Sequence, residues 1–148
     1  MTRDGFLVVY LAGKMSGLTH EEMSEWRTKA TNLLIDACCN TYTRVIVNNP
    51  VEYYNFEEPI HQSEKEVMDF DLHLVQQSDV VLVNLDGLDS SIGTSIELYA
   101  CSKMGIPVIA FGSDKNYWAV HPWVSTCISR KEDSLEGAVN YLRDFYMR

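Results

Sequence analysis

"DVVLVNLDGLDSSIGTSIELYACSKMGIPVIAF", residues 79–111, decides the fold. Asp79 to Leu85 is a short, β-branched apolar run, the pattern of a strand buried on both faces. "DGLDSSIG", Asp86 to Gly93, has the composition of a loop. Thr94 to Met104 follows with helical spacing, and Gly105 is a good helix stop. Ile106 to Phe111 is a second buried strand. Strand, loop, helix and strand in this order make a parallel crossover unit.

The same alternation extends outward. Phe6 to Leu11 reads as a buried strand. Thr19 to Cys38 reads as a helix, with Met23, Trp26, Ala30, Leu33, Leu34 and Ala37 on one face. Thr19 with Glu22 has capping-box spacing, and so does Ser63 with Glu66, which opens a helix to about Gln77. Arg44 to Val47 is a short strand ended by Asn48, Asn49 and Pro50, and Val51 to Pro59 is an aromatic, acidic loop. Val124 to Ile128 reads as a last short strand. Asp133 or Ser134 caps a final helix whose stripe is Leu135, Ala138, Val139, Leu142 and Phe145. The expected architecture is α/β: a three-layer, flavodoxin-like or Rossmann-like fold with a mostly parallel five-stranded sheet. No internal repeat or linker interrupts it, so a single domain over residues 1–148 is expected.

Composition narrows the function. Apolar content of 46% and charged content of 22% suit a globular domain with one core. The net charge is −9 and the twelve Lys and Arg residues are scattered, which disfavours a nucleic-acid polymer as partner. No apolar run reaches the roughly 20 residues of a membrane span, and no basic region precedes a long apolar one as in a secretory leader. A cytoplasmic protein is the expectation. Cys38, Cys39, Cys101 and Cys127 contain no CxxC pair, and the four histidines lack HExxH spacing, so no metal site is read. GxGxxG is absent, and Gly13 to Ser16 ("GKMS") lacks the order of a P-loop, so no cofactor is expected.

In parallel α/β sheets, ligands sit beyond the carboxyl ends of the strands. That rule points to Tyr10 to Leu18 ("YLAGKMSGL"), to the loop after Val47, and to Asp86 to Gly93. Gly13, Lys14, Ser16 and Gly17 offer backbone and side-chain donors in the first. Ser90, Ser91, Gly93, Thr94 and Ser95 are small and polar where a helix N-terminus should open, a good place for an anion or sugar hydroxyls. Glu97 falls in the first turn. Thr94 with Glu97 also has capping-box spacing, so Glu97 is either a functional carboxylate or a helix cap. Asp71 is a second carboxylate, flanked on its helical face by Val67 and Leu74, whereas Asp69 should face solvent. Tyr53, Tyr54 and Phe56 are candidates for stacking on a base or for core positions.

Three segments together carry a resemblance: "VVYLAGKMSG", "DFDLHLVQQSDVVLVNLDG" and "SSIGTSIELYACSKMGIPVIAF". They resemble the nucleoside 2-deoxyribosyltransferase family, which includes deoxynucleoside 5′-monophosphate N-glycosidases. The matching pattern is Tyr10 with Gly13, Asp71 before Ser78-Asp79, and Gly93 with Glu97. The resemblance implies a Glu97 nucleophile at the anomeric carbon, an Asp71 acid that protonates the departing base, and a Tyr10 that orients Glu97. Two carboxylates with different proton affinities are also what retaining glycoside chemistry needs. Family transferases tend to carry an acid six residues before the nucleophile; here Ser91 stands there, as in the monophosphate glycosidases. The expected substrate is therefore a small nucleoside or nucleotide, and the expected reaction is hydrolysis of a (deoxy)nucleoside 5′-monophosphate. Base exchange between deoxynucleosides is the alternative within the family. Outside it stand a non-catalytic nucleotide-binding module, and a flavin or response-regulator domain in which Asp86 would accept phosphate. The resemblance also implies a homodimer or higher homo-oligomer in which a neighbour completes the pocket. Trp123 to Ser129 is the segment expected to do so, with Ser125 reaching the phosphate and Trp118 and Trp123 as interface or lid residues.

Overall fold

The computed structural model describes residues 5–55, 57–112 and 120–147. Phe56 and Trp118 lie outside them. Five strands form one sheet: β1 (Phe6–Ala12), β2 (Arg44–Asn48), β3 (Val80–Asn84), β4 (Val108–Phe111) and β5 (Arg130–Glu132). Their order is β2-β1-β3-β4-β5, and every pairing is parallel. Among the described residues, the longer helices that cover it are α1 (His20–Cys38), α2 (Glu64–Gln76), α3 (Ile92–Met104) and α4 (Leu135–Tyr146). The expected three-layer α/β fold is the one observed.

The period-2 alternation of the strands divides the core in two. Leu7, Val9 and Leu11 of β1 join Val80, Leu82, Ile109 and Phe111 beneath α1 and α4, with Ala30, Leu34, Ala138 and Leu142 opposite. Tyr10 and Ala12 point the other way, with Val81, Val83, Val108 and Ala110, toward Val75 of α2 and Leu98 and Cys101 of α3. This parity sends the Tyr10 side chain to the α2–α3 face. Both expected capping boxes form, at Thr19–Glu22 and Ser63–Glu66. The Ser78-Asp79 pair closes α2 and locks β3 to β1: Ser78 Oγ donates to the Leu74 carbonyl at 2.8 Å, and Asp79 Oδ2 accepts from the Val8 N–H at 2.8 Å.

The last strand departs from expectation. Val124 to Ile128 is no strand, because Pro122–Ser125 forms a helical turn that continues through Cys127 N–H to the Val124 carbonyl, 2.9 Å. Pro122 stands at its first position, and His121 Nδ1 accepts the Trp123 N–H at 3.2 Å. Proline's fixed φ suits that position, so local chemistry favours a turn over an extended chain. The strand itself is Arg130–Glu132, paired with Ile109–Phe111 at the sheet edge. A charged edge strand of three residues carries no apolar run to announce it. In α4 the buried aromatic is Tyr146, whereas Phe145 is half exposed and stacks on Tyr141. A helix turns 100° per residue, and that one-residue difference moves Phe145 off the stripe.

Candidate active site

From the centre of the sheet, β1 is followed by a connection leading to β2 on one side, and β3 by one leading to β4 on the other. The two loops diverge and leave a crevice at the carboxyl ends of β1 and β3, the topological switch point of such sheets. A cavity of about 690 Å³ opens there. Its walls are Gly13, Met15 and Ser16 of the first loop; Ser90 to Thr94, Ile96 and Glu97 at the start of α3; and Tyr54, His61 and one face of α2. Ligand pockets run from roughly 300 to 1,000 Å³, so a small molecule fits.

Tyr10 stands beneath this cavity, 1% exposed. Its hydroxyl donates to Glu97 Oε2 at 2.5 Å. Asp71 faces the same space from α2, and the Tyr54 hydroxyl donates to its Oδ1 at 2.7 Å. The helix-cap alternative for Glu97 fails, because α3 starts at Ile92, with Ser91 at its N-cap. Glu97 is thereby a turn too deep to reach the free N–H groups. Asp69, two residues before Asp71, points outward and pairs with Lys65 at 2.8 Å.

Burial governs the electrostatics. It raises Glu97 to about 7; the Tyr10 hydrogen bond opposes the rise, the charge of Asp71 adds to it, and that of Arg27 opposes it. Burial also raises Asp71, against the Tyr54 hydrogen bond and the charge of Arg27. A charge on Asp71 thus makes Glu97 harder to ionise. Tyr10 and Tyr54 are pushed well above the ordinary phenol range, chiefly by burial, and stay protonated as donors.

The helix N-terminus lies at the other end of the cavity. No side chain caps α3. Ser91 Oγ and Thr94 Oγ1 share a hydrogen bond of 2.7 Å, and Ser90 Oγ accepts from Lys14 Nζ at 2.8 Å. Gly93 has open space where a Cβ would sit. The glycines of the first loop serve the fold in different ways. A Cβ on Gly13 would lie 2.9 Å from Trp26 Cζ2, so close packing against α1 excludes a side chain there. Gly17 takes φ 79° in a turn closed by the Leu18 N–H and the Met15 carbonyl, and it does not line the cavity.

Of the residues singled out from the sequence, Gly13, Ser16, Asp71, Ser90, Ser91, Gly93 and Glu97 converge on one cavity, with Tyr10 below and Lys14 behind Ser90. Ser125 does not join them; it follows β4 and accepts a hydrogen bond from Lys131 Nζ at 2.9 Å. Tyr53 is half exposed, outside the cavity lining, with its ring against Phe70. Two residues carry more than the sequence reading gave them. Tyr54, a stacking candidate, is the hydrogen-bond partner of Asp71. Arg27 is fully buried beside the first loop; its signal was a cation on the apolar stripe Met23, Ala30, Leu34.

Comparison with known proteins bears on the family and the fold. A family model described as "nucleoside 2-deoxyribosyltransferase like" matches residues 7–115. No curated protein sequence matches significantly. Among solved structures, a conserved protein from Enterococcus faecalis V583 superposes with a TM-score of 0.74 at 16% identity, covering 94% of this chain and 98% of that one. The 2-deoxyribosyltransferase of Bacillus psychrosaccharolyticus gives 0.67 at 22% identity, covering 90% and 91%. The CMP N-glycosidase BcmB of Clostridium botulinum gives 0.57 at 19% identity, covering 94% and 98%. These likenesses establish a shared fold.

Proposed function

This chain belongs to the nucleoside 2-deoxyribosyltransferase-like family, and we propose that it is an N-glycosidase of (deoxy)nucleoside 5′-monophosphates. The observation that carries the reading is the Tyr10–Glu97 hydrogen bond on the cavity floor, with Asp71 facing the same space. Glu97 attacks the anomeric carbon as the carbon–nitrogen bond breaks, and Asp71 gives its proton to the departing base. The glycosyl–Glu97 ester is then attacked by water, whose proton returns to Asp71. The products are free base and sugar 5′-phosphate. Positive charge on the sugar ring is stabilised by the Glu97 carboxylate, and negative charge on the base by the Asp71 proton.

The 5′-phosphate reading rests on the other end of the cavity. An uncapped N-terminus of a 13-residue helix, Gly93 without a side chain, the hydroxyls of Ser16, Ser90 and Ser91, and Lys14 behind Ser90 form a donor-rich wall. Helix N-termini favour phosphate through unpaired N–H groups and the helix dipole. The N-glycosidase of C. botulinum is named for a nucleoside monophosphate, CMP, which agrees in substrate class. Homo-oligomeric assembly belongs to the same reading, because Ile92 and Ile96 of the cavity wall and Tyr99 beyond them expose an apolar stripe along α3.

The test is an assay of free-base release by liquid chromatography. Ribo- and deoxyribonucleosides and their 5′-monophosphates are supplied with and without a second base, beside a Glu97→Ala control. Release from monophosphates without an acceptor, lost in the control, supports hydrolysis. Turnover that requires an acceptor base assigns the chain to base exchange. Tight binding without turnover makes it a binding module.

A further inference from the structure

We propose that Arg27 is a positioning residue of this site: its buried guanidinium pins the first loop through the Gly13 carbonyl and serves as the counter-charge to the carboxylates that face the same cavity. The inference rests on the reading of Glu97 as nucleophile.

Arg27 is completely buried and is the largest side chain in that condition. Nη1 donates to the Met23 carbonyl at 2.9 Å and Nη2 to the Gly13 carbonyl at 3.1 Å. Nε has no partner. The guanidinium carbon lies 4.6 Å from the centroid of the Trp26 ring. Among the described residues, no carboxylate forms an ion pair with it. A buried cation held by only two carbonyls is costly, and an apolar side chain would fill this stripe at lower cost. The compensation lies across the end of β1. Gly13, whose carbonyl Arg27 holds, is the first residue beyond that strand and lines the cavity.

The groups around Glu97 complete the balance. They are Tyr10 from β1, Asp71 from α2, the Tyr54 phenol from the loop after β2, and Cys101 one turn along α3. His61 and Lys65 also line the cavity, but Lys65 is exposed and paired with Asp69, whereas Arg27 is buried. Arg27 is the cation that acts on Glu97 and Asp71, and burial lowers it only to about 10, so it stays charged at neutral pH. In a poorly polarisable interior, such a charge acts over several ångströms without direct contact. It offsets part of the repulsion between the two carboxylates.

The experiment titrates the Glu97 side-chain carboxyl by carbon-13 NMR, identifying its signal by its loss in Glu97→Gln. The wild type is compared with Arg27→Met, Arg27→Gln and Arg27→Lys, with folding checked by circular dichroism. Arg27→Met and Arg27→Gln are expected to raise the Glu97 midpoint by about one pH unit or more. Arg27→Lys should return it to within about half a unit, while KM for the monophosphate rises above the wild-type value in all three variants, since a lysine cannot hold both carbonyls. A folded Arg27→Met or Arg27→Gln with an unmoved midpoint overturns the inference and leaves Arg27 as packing. If the charge-free variants are too unstable at neutral pH, their stability loss is compared at pH 5 and pH 8. A loss greater at pH 8, where Glu97 is ionised, supports the coupling; an equal loss refutes it. Wild-type protein with no base release would sink the glycosidase reading while leaving the titration interpretable. An unmoved titration in an active enzyme would sink the Arg27 inference alone.

Discussion

The Tyr10 hydroxyl lies 2.5 Å from Glu97 Oε2, although 87 positions separate the two residues in the chain. One comes from β1, an interior strand of the sheet, and the other from the second turn of α3. The contact exists because strand parity sends Tyr10 to the α2–α3 face and because α3 begins at Ile92.

Removing the Glu97 carboxylate should remove turnover. Glu97→Ala is expected to lower kcat/KM for base release by at least about a thousandfold, the scale seen when a nucleophile is deleted. Intact-mass measurement with a 2′-fluoro nucleotide should find a covalent adduct on the wild type and none on the variant.

Asp71 and Asp69 form an internal comparison. Asp71→Asn should cost about 10²–10⁴-fold in kcat, the usual worth of a general acid. Asp69→Asn, which breaks only an exposed pair with Lys65, should stay within about threefold. Equal losses in both variants would argue against the role given to Asp71.

Tyr10→Phe removes a hydrogen bond that favours the charged form of Glu97. The carboxyl, already near 7, should then hold its proton to higher pH. The acid limb of kcat/KM should move up by roughly one unit, since a hydrogen bond to a charged group is worth on the order of 1–3 kcal/mol. An unmoved limb with reduced kcat would mean that Tyr10 only orients the carboxylate.

Glu97 also links stability to pH. Its proton affinity is raised from 4.5 to about 7 by burial. Between those values the folded state binds more protons than the unfolded one, so stability falls as pH rises through the interval. Glu97→Gln, which does not ionise, should gain on the wild type across that window, by on the order of 1–3 kcal/mol at pH 8 and little at pH 4. Urea unfolding at the two pH values measures the difference.

Ser91→Asp places a carboxylate at the N-cap of α3. It should favour the helix yet repel a 5′-phosphate. We expect kcat/KM to fall at least tenfold for monophosphates and to hold or rise for nucleosides. An unchanged preference would place the phosphate elsewhere.

The order of elements was legible because each carries a local signature. The apolar runs of β1, β3 and β4, the two capping boxes and Gly105 after α3 depend only on neighbours in sequence. β5 was not legible, since an edge strand of charged residues is defined by its partner Ile109–Phe111 and not by its own composition. The start of α3 was misplaced by two residues, because Thr94 and Glu97 imitate a cap that the helix does not use.

By itself the sequence determined a doubly covered parallel sheet, the loops at its carboxyl edge, and the Tyr, Asp and Glu that its family resemblance singles out. Alternating strands and amphipathic helices bury their apolar faces in few ways, so pattern suffices for that much. Only the tertiary structure decided that Tyr54 holds Asp71 and that a buried guanidinium lies against Gly13, and it supplied the geometry of the Tyr10–Glu97 contact that the resemblance had implied. Those relations join residues far apart in the chain. They depend on register, facing and desolvation, and these exist only once the sheet and its helices have packed together.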